Sequence, residues 1–208
     1  MFRRVFDSSW RSLYAVVLEG GFGTAFALGK HGFVATAYHV TQGEDVSKSI
    51  LLKTMPERKS FRFEKIIEDA EADIALLRLI DNDPEFTALE ISEFPAQYGQ
   101  SVLALGYPLT YRGLEQINLG RPMVNLRACG CIVASDLCVP SGAKGIEVFE
   151  VDANLHPGMS GGPVLDLDCK VAGVISYGFL RPKPNGFDEP DFTACIRASY
   201  LTDLLGKA

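Results

Sequence analysis

Ser160 is the first residue whose surroundings could support chemistry. It lies in the segment HPGMSGGPV, in which glycines and prolines flank it on both sides. A serine hydroxyl is a weak nucleophile at neutral pH unless a base lies close to it and a third group orients that base. A nucleophilic role for Ser160 therefore requires a base and an orienting group from elsewhere in the chain.

The sequence offers three histidines as the base. His31 lies in the glycine-flanked segment LGKHGF, which predicts a tight turn with an exposed imidazole. His156 belongs to the same loop as Ser160, and a residue so close along the chain rarely turns back to accept the hydroxyl proton. His39 follows the strand-like run FVATAY and is the candidate base; the alternative is a histidine that only satisfies hydrogen bonds at a strand end.

Asp73 is the candidate orienting group. It begins the apolar run DIALLRL, which predicts a buried strand, and a carboxylate is costly to bury unless another group uses its charge. The acids before it, Glu68, Asp69 and Glu71, belong to a polar stretch that predicts surface positions. Asp73 is therefore the acid that could orient a base and support its positive charge.

The glycines around Ser160 fit the same chemistry. Acyl transfer creates an oxyanion that backbone N–H groups in a tight turn can stabilise, and glycine permits both the unusual backbone angles and the close approach of substrate. The amides of Gly158 and Ser160 are the candidates for this oxyanion hole. A glycine-rich β-turn without a catalytic role also explains the GxSGG pattern.

The elements that must position these residues are predicted to be strands. Short runs rich in Val, Ile, Leu, Phe and Tyr end in glycine, proline or charged clusters, which predicts an all-β fold. Only the last segment, ASYLTDLLGK, has a convincing helical spacing. A polar passage at 81–100 predicts the connection between two β-barrels: residues 1–90, with the candidate base and carboxylate, and residues 91–208, with the candidate nucleophile and substrate pocket.

Composition excludes several classes of function. The chain has 208 residues, of which 47% are hydrophobic, enough to bury a sizeable core. Its 20 Lys and Arg against 26 Asp and Glu give a formal net charge of -6 without a basic block, so nucleic acid is not expected as a partner. The apolar runs are too short to span a bilayer, and no membrane partner is predicted.

The cysteines and the N-terminus predict a cytoplasmic protein. The five cysteines, an odd number without paired CxxC spacing, favour free thiols, and no metal or cofactor is predicted. The segment MFRRVFDSSWRSLYAVVLEGG begins like a signal peptide, but polar residues interrupt its apolar stretch, so no secretory signal is expected.

Several segments, in their order along the chain, resemble those of trypsin-like (chymotrypsin-fold) serine proteases, particularly the bacterial HtrA-type branch. They are GTAFAL, ATAYHV, ADIALLRL, LALGYPL and GMSGGPVLD, and VAGVISYG resembles the strand beside which that family's substrate lies. The match covers roughly residues 20–196. The resemblance implies two six-stranded antiparallel β-barrels with the active site between them and a short C-terminal helix.

The resemblance also implies a role for each candidate residue. His39 would be the general base, Asp73 its orienting carboxylate and Ser160 the nucleophile. The amides of Gly158 and Ser160 would form the oxyanion hole. Ser176 matches the family's serine whose hydroxyl supports the buried aspartate.

Substrate-binding residues follow from the same resemblance. Ser176, Tyr177 and Gly178 would pair with an extended peptide as an added strand. Asn154 would form the floor of the specificity pocket, and this neutral side chain favours uncharged residues before the cleaved bond. Asp191 would lie on the far side of the pocket, where an acid could instead attract Lys or Arg.

Three departures from the family pattern affect regulation and location. Val40 stands where secreted members have a disulfide cysteine, which supports a cytoplasmic protein. Met159 replaces the acid that pairs with a newly cut amino terminus in trypsin-like zymogens, so activation by N-terminal clipping is not expected. HtrA relatives carry a PDZ domain after the protease, whereas this chain ends at Ala208, so loops or a regulatory protein partner would supply regulation.

The leading hypothesis is a serine endopeptidase, a hydrolase that cleaves protein or peptide substrates through an acyl-enzyme on Ser160. The alternative is a catalytically silent protease-fold module that binds peptides, because a fold does not guarantee its chemistry. An esterase or another acyl transferase with the same three residues is a further alternative.

Overall fold

The computed structural model describes residues 1–29, 32–108, 124–139, 145–182 and 188–208, without the side chains of 138–139, 177–182 and 188–192. The turn predicted around His31 lies outside these residues. The described chain is mostly β, which confirms the predicted fold class. Its strands are β1 (Leu13–Val17), β2 (Phe22–Ala27), β3 (Phe33–Thr36), β4 (Ile50–Lys53), β5 (Lys59–Phe61), β6 (Phe63–Asp69), β7 (Ile74–Leu79), β8 (Ser101–Gly106), β9 (Arg127–Val139), β10 (Ile146–Val151), β11 (Pro163–Leu165), β12 (Val171–Pro182) and β13 (Asp188–Arg197).

Three α-helices accompany the strands in the described ranges: α1 (Phe2–Ser9), α2 (Tyr38–Thr41) and α3 (Ser199–Leu205). Helix α3 confirms the predicted C-terminal helix, with Leu201 and Leu204 buried. Helix α1 was not predicted from the sequence. It is short, and tertiary packing supports it: Val5 is buried, and the Phe2 ring lies directly over Gly130, where a Cβ atom would come within 2.6 Å of it.

The C-terminal strands form the closed six-stranded barrel that the resemblance predicts. Its strand order is β10-β13-β12-β11-β8-β9, and every pair in it is antiparallel. Inside it lie Val102, Phe149, Met159 and Ile175, all at most 2% exposed. The barrel interior is therefore a packed apolar core.

The N-terminal sheet differs from the predicted six-stranded barrel, because it has seven strands in the order β5-β4-β1-β2-β3-β7-β6. Its two outer strands are separated in sequence by Arg62 alone. The Arg62 N–H donates to an Asp81 carboxylate oxygen at 2.6 Å, and the Arg62 carbonyl accepts from the Ile80 N–H at 2.9 Å. Arg62 thus separates β5 from β6, and the two edge strands of the sheet are consecutive along the chain. The boundary at residue 90 stays a prediction.

A buried ion pair joins this sheet to the segment that follows it. Lys53 Nζ lies 2.5 Å from Asp83 Oδ2, with side chains 4% and 0% exposed. The Tyr14 hydroxyl donates to the same carboxylate oxygen at 2.7 Å. Burial raises the pKa of Asp83, but the hydrogen bonds from Lys53 and Tyr14 outweigh it, and the net pKa is lowered.

Asp83→Asn should therefore destabilise the protein by about 3–5 kcal/mol, because it leaves the Lys53 ammonium buried without its counter-charge. Urea unfolding at pH 7 measures the change. The matched control is Glu64→Gln, which breaks the half-exposed pair with Arg78 and should cost less than about 1 kcal/mol.

The same pair predicts the pH dependence. A carboxyl group with a lowered folded-state pKa contributes stability above its unfolded pKa, about 3.9, and that stability is lost as pH falls through the folded value. The difference between wild type and Asp83→Asn should shrink below pH 4. Equal stability of the two proteins at pH 7 would contradict this account.

Candidate active site

The sheet register places His39 beside Asp73. Strands β3 and β7 are antiparallel, with Thr36 opposite Ala75, so the residues that follow β3 and precede β7 meet at one edge. His39 lies in α2, directly after β3, and Asp73 directly precedes β7. His39 Nδ1 lies 2.8 Å from Asp73 Oδ2 and 3.0 Å from Oδ1, and the His39 backbone N–H donates to Oδ1 at 2.9 Å.

The Asp73 side chain is mostly buried, and both of its carboxylate oxygens accept hydrogen bonds. It is 16% exposed, and the Ser176 hydroxyl donates a short hydrogen bond to Oδ2. Burial raises the pKa of Asp73, but the hydrogen bonds and charge of His39 and the hydrogen bond from Ser176 outweigh it, so the net pKa is lowered. Its backbone adopts φ +51°, a left-handed conformation that aspartate tolerates better than most residues.

Ser160 lies in the loop between β10 and β11, residues 152–162, here called the serine loop. It contacts the backbone of Ser176, the same residue whose hydroxyl bonds Asp73. The Ser160 Oγ–H donates to the Ser176 carbonyl oxygen at 3.0 Å. In the described part of the chain, Ser160 Oγ forms no hydrogen bond with His39. Ser176 is therefore hydrogen-bonded both to Ser160 and to Asp73, which in turn is hydrogen-bonded to His39. A rotation of the serine side chain to another staggered position would change its partner.

The residues before Ser160 form a tight turn. The Met159 N–H donates to the His156 carbonyl at 3.0 Å, and Gly158, at the third position of the turn, has φ +92°. Proline at position two and glycine with positive φ at position three are the requirements of a type II turn. Within the described residues, the N–H groups of Gly158 and Ser160 donate to no protein acceptor. Two free N–H groups thus flank the serine.

Gly161 explains why glycine follows the serine. Its φ is +83°, and a Cβ atom there would lie 2.2 Å from the Thr24 carbonyl oxygen and 2.3 Å from Thr36 Oγ1. Its N–H donates to the Ile175 carbonyl at 2.7 Å. The loop therefore lies directly against the N-terminal sheet.

The predicted pocket residues are only partly described. Asn154 is exposed. Tyr177 and Gly178 lie in β12, and Asp191 lies in β13 at a register shift, but the side chains at 177–182 and 188–192 lie outside the described structure. Thr193 is a residue beside the predicted pocket that the sequence did not indicate. Its buried Oγ1 accepts from the Leu155 N–H and donates to the Ala153 carbonyl, so it fixes the loop around Asn154.

Two further observations concern the described ranges alone. No helix in them has the length and hydropathy needed to cross a membrane. They contain no group of three or more His, Cys, Asp or Glu side chains arranged to hold a metal ion.

A closed antiparallel barrel, a curved antiparallel sheet and a histidine–aspartate pair beside a serine loop define the chymotrypsin-like class of folds. A family model described as "Trypsin-like peptidase domain" matches residues 23–174. Because this match covers more than half of the sequence, the chain belongs to the trypsin-like peptidase family.

Curated relatives place the chain near the HtrA-type branch, as its motifs predicted. It is 28% identical over 160 residues to "Probable periplasmic serine endoprotease DegP-like" of Halomonas elongata, covering 76% of this chain and 30% of that protein. It is 26% identical over 161 residues to "Serine protease Do-like HtrA" of Bacillus subtilis, covering 76% and 34%. The chain thus spans about a third of the length of these relatives.

Solved structures share the fold. "HtrA-type protease AlgW with tripeptide" superposes with a TM-score of 0.77 at 17% identity, covering 99% of this chain and 62% of that one. The active form of the Rv3671c protease from M. tuberculosis superposes with a TM-score of 0.75 at 21% identity, covering 98% and 83%. At such identities the likeness shows the fold alone.

The prediction of a cytoplasmic protein is wrong, because relatives from five bacteria are named periplasmic endoproteases. That prediction depended on Val40, on unpaired cysteines and on the polar residues that interrupt the apolar stretch of the N-terminus. The described cysteines at 129, 131, 169 and 195 are indeed free. No two of these four cysteines are in bonding geometry, so their thiols stay free in any compartment and do not report the location.

Proposed function

We propose that the chain is a serine endopeptidase that cleaves peptide bonds through an acyl-enzyme on Ser160. The observation that carries the proposal is the convergence at Ser176, whose hydroxyl donates to Asp73 and whose carbonyl accepts from Ser160. Through these two hydrogen bonds, Ser176 holds the Asp73 carboxylate and the Ser160 hydroxyl close to each other. Membership of the trypsin-like peptidase family supports the same activity.

The proposed reaction begins when the Ser160 side chain turns from the Ser176 carbonyl toward His39. Ser160 Oγ attacks the substrate carbonyl carbon while His39 Nε2 takes the hydroxyl proton. Asp73 accepts the His39 Nδ1–H, which keeps Nε2 free as the base and stabilises the imidazolium. The N–H groups of Gly158 and Ser160 stabilise the oxyanion of the tetrahedral intermediate. His39 then protonates the leaving amine, and water hydrolyses the acyl-enzyme by the same steps.

An extended peptide would bind along β12. Strand β11 pairs with β12 only as far as Val174, and Ile175 bonds with the serine loop. From Ser176 onward, no other described strand pairs with that edge, while β13 pairs with the opposite edge. An unpaired edge of this kind accepts a peptide as an additional strand. Ser176, Tyr177 and Gly178 would supply its backbone hydrogen bonds.

The residue before the cleaved bond should be uncharged. Asn154 carries no charge to select Lys or Arg, which favours small to medium uncharged side chains. A peptide-library profile should show cleavage after Ala, Val, Leu or Met, and Asp191→Gly should leave that profile unchanged. Dominant cleavage after Arg or Lys that disappears in Asp191→Gly would show that Asp191 sets the specificity.

One observation favours a peptide-binding module as a second candidate. Ser160 Oγ donates to the Ser176 carbonyl rather than to His39, and a serine held there permanently would not be activated. Incubation of the purified chain with an unfolded, reduced protein at neutral pH separates the two candidates. An endopeptidase yields peptide fragments by mass spectrometry. A binding module forms a complex and yields none, and cleavage of activated esters alone would indicate an esterase.

The names of the bacterial relatives support a periplasmic location for this chain. Protein and peptide substrates follow from the proposed activity, and a regulatory protein partner stays a prediction. Met159 is completely buried in the apolar barrel interior, which supports the expectation that no newly cut amino terminus pairs there.

A further inference from the structure

Thr24, in the middle of β2, uses all of its polar groups within the protein and is completely buried. Its N–H donates to the Ser160 carbonyl at 2.9 Å, and its Oγ1–H donates to the Gly158 carbonyl at 2.7 Å. Its Oγ1 accepts from the Tyr107 N–H at 2.8 Å, and its carbonyl accepts from the Thr36 hydroxyl at 2.7 Å. Two of these four bonds hold the serine loop.

The direction of the hydroxyl bond follows from its partners. A backbone N–H only donates, so Thr24 Oγ1 must accept from Tyr107. The hydroxyl proton is then free for the Gly158 carbonyl, which only accepts. Thr24 therefore links the backbone after β8 to the turn before Ser160, and each hydrogen bond supports the orientation of the other.

The two carbonyls that Thr24 holds belong to Gly158 and Ser160, the same residues whose free N–H groups flank the serine. Fixing the Gly158 carbonyl restricts rotation about the Cα–C bond of Gly158, which has a positive φ and, lacking a Cβ atom, the widest backbone freedom. The Gly158 N–H belongs to the preceding peptide, Pro157–Gly158, so Thr24 acts on it through the backbone angles of Gly158. Without the bond to the Gly158 carbonyl, both angles of Gly158 could change together, and its N–H would then point elsewhere.

We propose that Thr24 is a positioning residue that holds the Gly158 and Ser160 N–H groups in the arrangement that stabilises an oxyanion. This inference depends on the proposed endopeptidase function. Thr24 acts through the loop backbone and touches no substrate. It comes from the N-terminal sheet, 134 positions before Gly158 in sequence, so the two halves of the chain together build this part of the site.

The test compares Thr24→Val, which keeps the side-chain shape but lacks the hydroxyl, with Thr24→Ser, which keeps the hydroxyl. In peptide cleavage, Thr24→Val should lower kcat by on the order of 10- to 100-fold, less than removal of an oxyanion-hole donor. KM should change less than about threefold, because ground-state binding does not use the oxyanion. Thr24→Ser should stay within about threefold of wild type in both parameters.

The affinity for a peptide aldehyde distinguishes a positioning role of Thr24 from a purely structural one. The tetrahedral adduct of the aldehyde places an oxyanion between the two N–H groups, so the aldehyde affinity should fall in parallel with kcat in Thr24→Val. The control is Tyr14→Phe, which removes a completely buried hydroxyl that donates to Asp83 and to no residue of the serine loop. It should lower the melting temperature without changing kcat or aldehyde affinity.

Rates are normalised to the folded fraction from thermal melting, with Thr24→Ala as a second hydroxyl-free variant. The inference is overturned if both hydroxyl-free variants have the wild-type kcat per folded molecule, whether or not their KM changes. A wild-type protein that neither cleaves peptides nor binds the aldehyde would instead overturn the proposed function itself.

Discussion

Ser160→Ala should abolish peptide cleavage, lowering kcat by on the order of 10⁶, the loss measured when the nucleophile of another serine protease is removed. The fold should persist, because the side chain is only partly buried and forms one hydrogen bond, to the Ser176 carbonyl. Cleavage of a fluorogenic peptide measures the loss, and a melting curve confirms folding.

The matched control is Ser92→Ala, which removes another partly buried hydroxyl with one hydrogen bond, to Asp166. It should retain full activity. If Ser160→Ala kept more than about a thousandth of the wild-type rate in a contaminant-free preparation, the nucleophile would lie elsewhere, since binding and an oxyanion hole alone leave only a residual rate over water.

Asp73→Asn should lower kcat by about 10⁴ while the chain still folds. The carboxylate accepts from both the backbone N–H and the Nδ1–H of His39. An amide can present its NH₂ group to Nδ1, which stabilises the imidazole tautomer that carries its proton on Nε2 and cannot act as base. Peptide cleavage at neutral pH measures the loss.

Asp45→Asn is the control for this change, because Asp45 is an exposed carboxylate that accepts from the Ser47 N–H. It should leave kcat unchanged. A loss of less than tenfold in Asp73→Asn would mean that another carboxylate orients His39.

The lowered pKa of Asp73 also shapes the pH dependence of the wild type. Its carboxyl group stays ionised down to below its ordinary value of about 3.9. Protonation of Asp73 should therefore not limit activity until the pH falls below that value. Ionised Asp73 also contributes folding stability that is lost as pH falls through its folded-state pKa.

Local patterns predicted the strands beside His39 and Asp73, whereas the pairing of the two residues was predicted from the chemistry that a nucleophilic serine needs and from the family resemblance. Each lies next to an apolar run that forms a strand, and those two strands pair, so their ends meet. The turn around Gly158 was predictable for a similar reason, since Pro-Gly pairs specify turns by backbone geometry alone.

The role of Thr24 was not predictable from its neighbours. Threonine in GTAFAL is an ordinary strand residue by propensity, and its partners lie 83 and 134 positions away. The same holds for Lys53 and Asp83, each of which looks like a surface charge until the fold brings them together. Long-range partners of single polar residues leave no periodic signal in one sequence.

The most direct test of the central claim is labelling of the folded wild-type chain with a fluorophosphonate at neutral pH, followed by mass spectrometry of the intact protein and of its peptides. The account predicts one adduct per chain, located on Ser160, absent in Ser160→Ala and strongly slowed in Asp73→Asn. A folded wild-type chain that takes no adduct on Ser160, or an adduct that persists in Ser160→Ala, would contradict it.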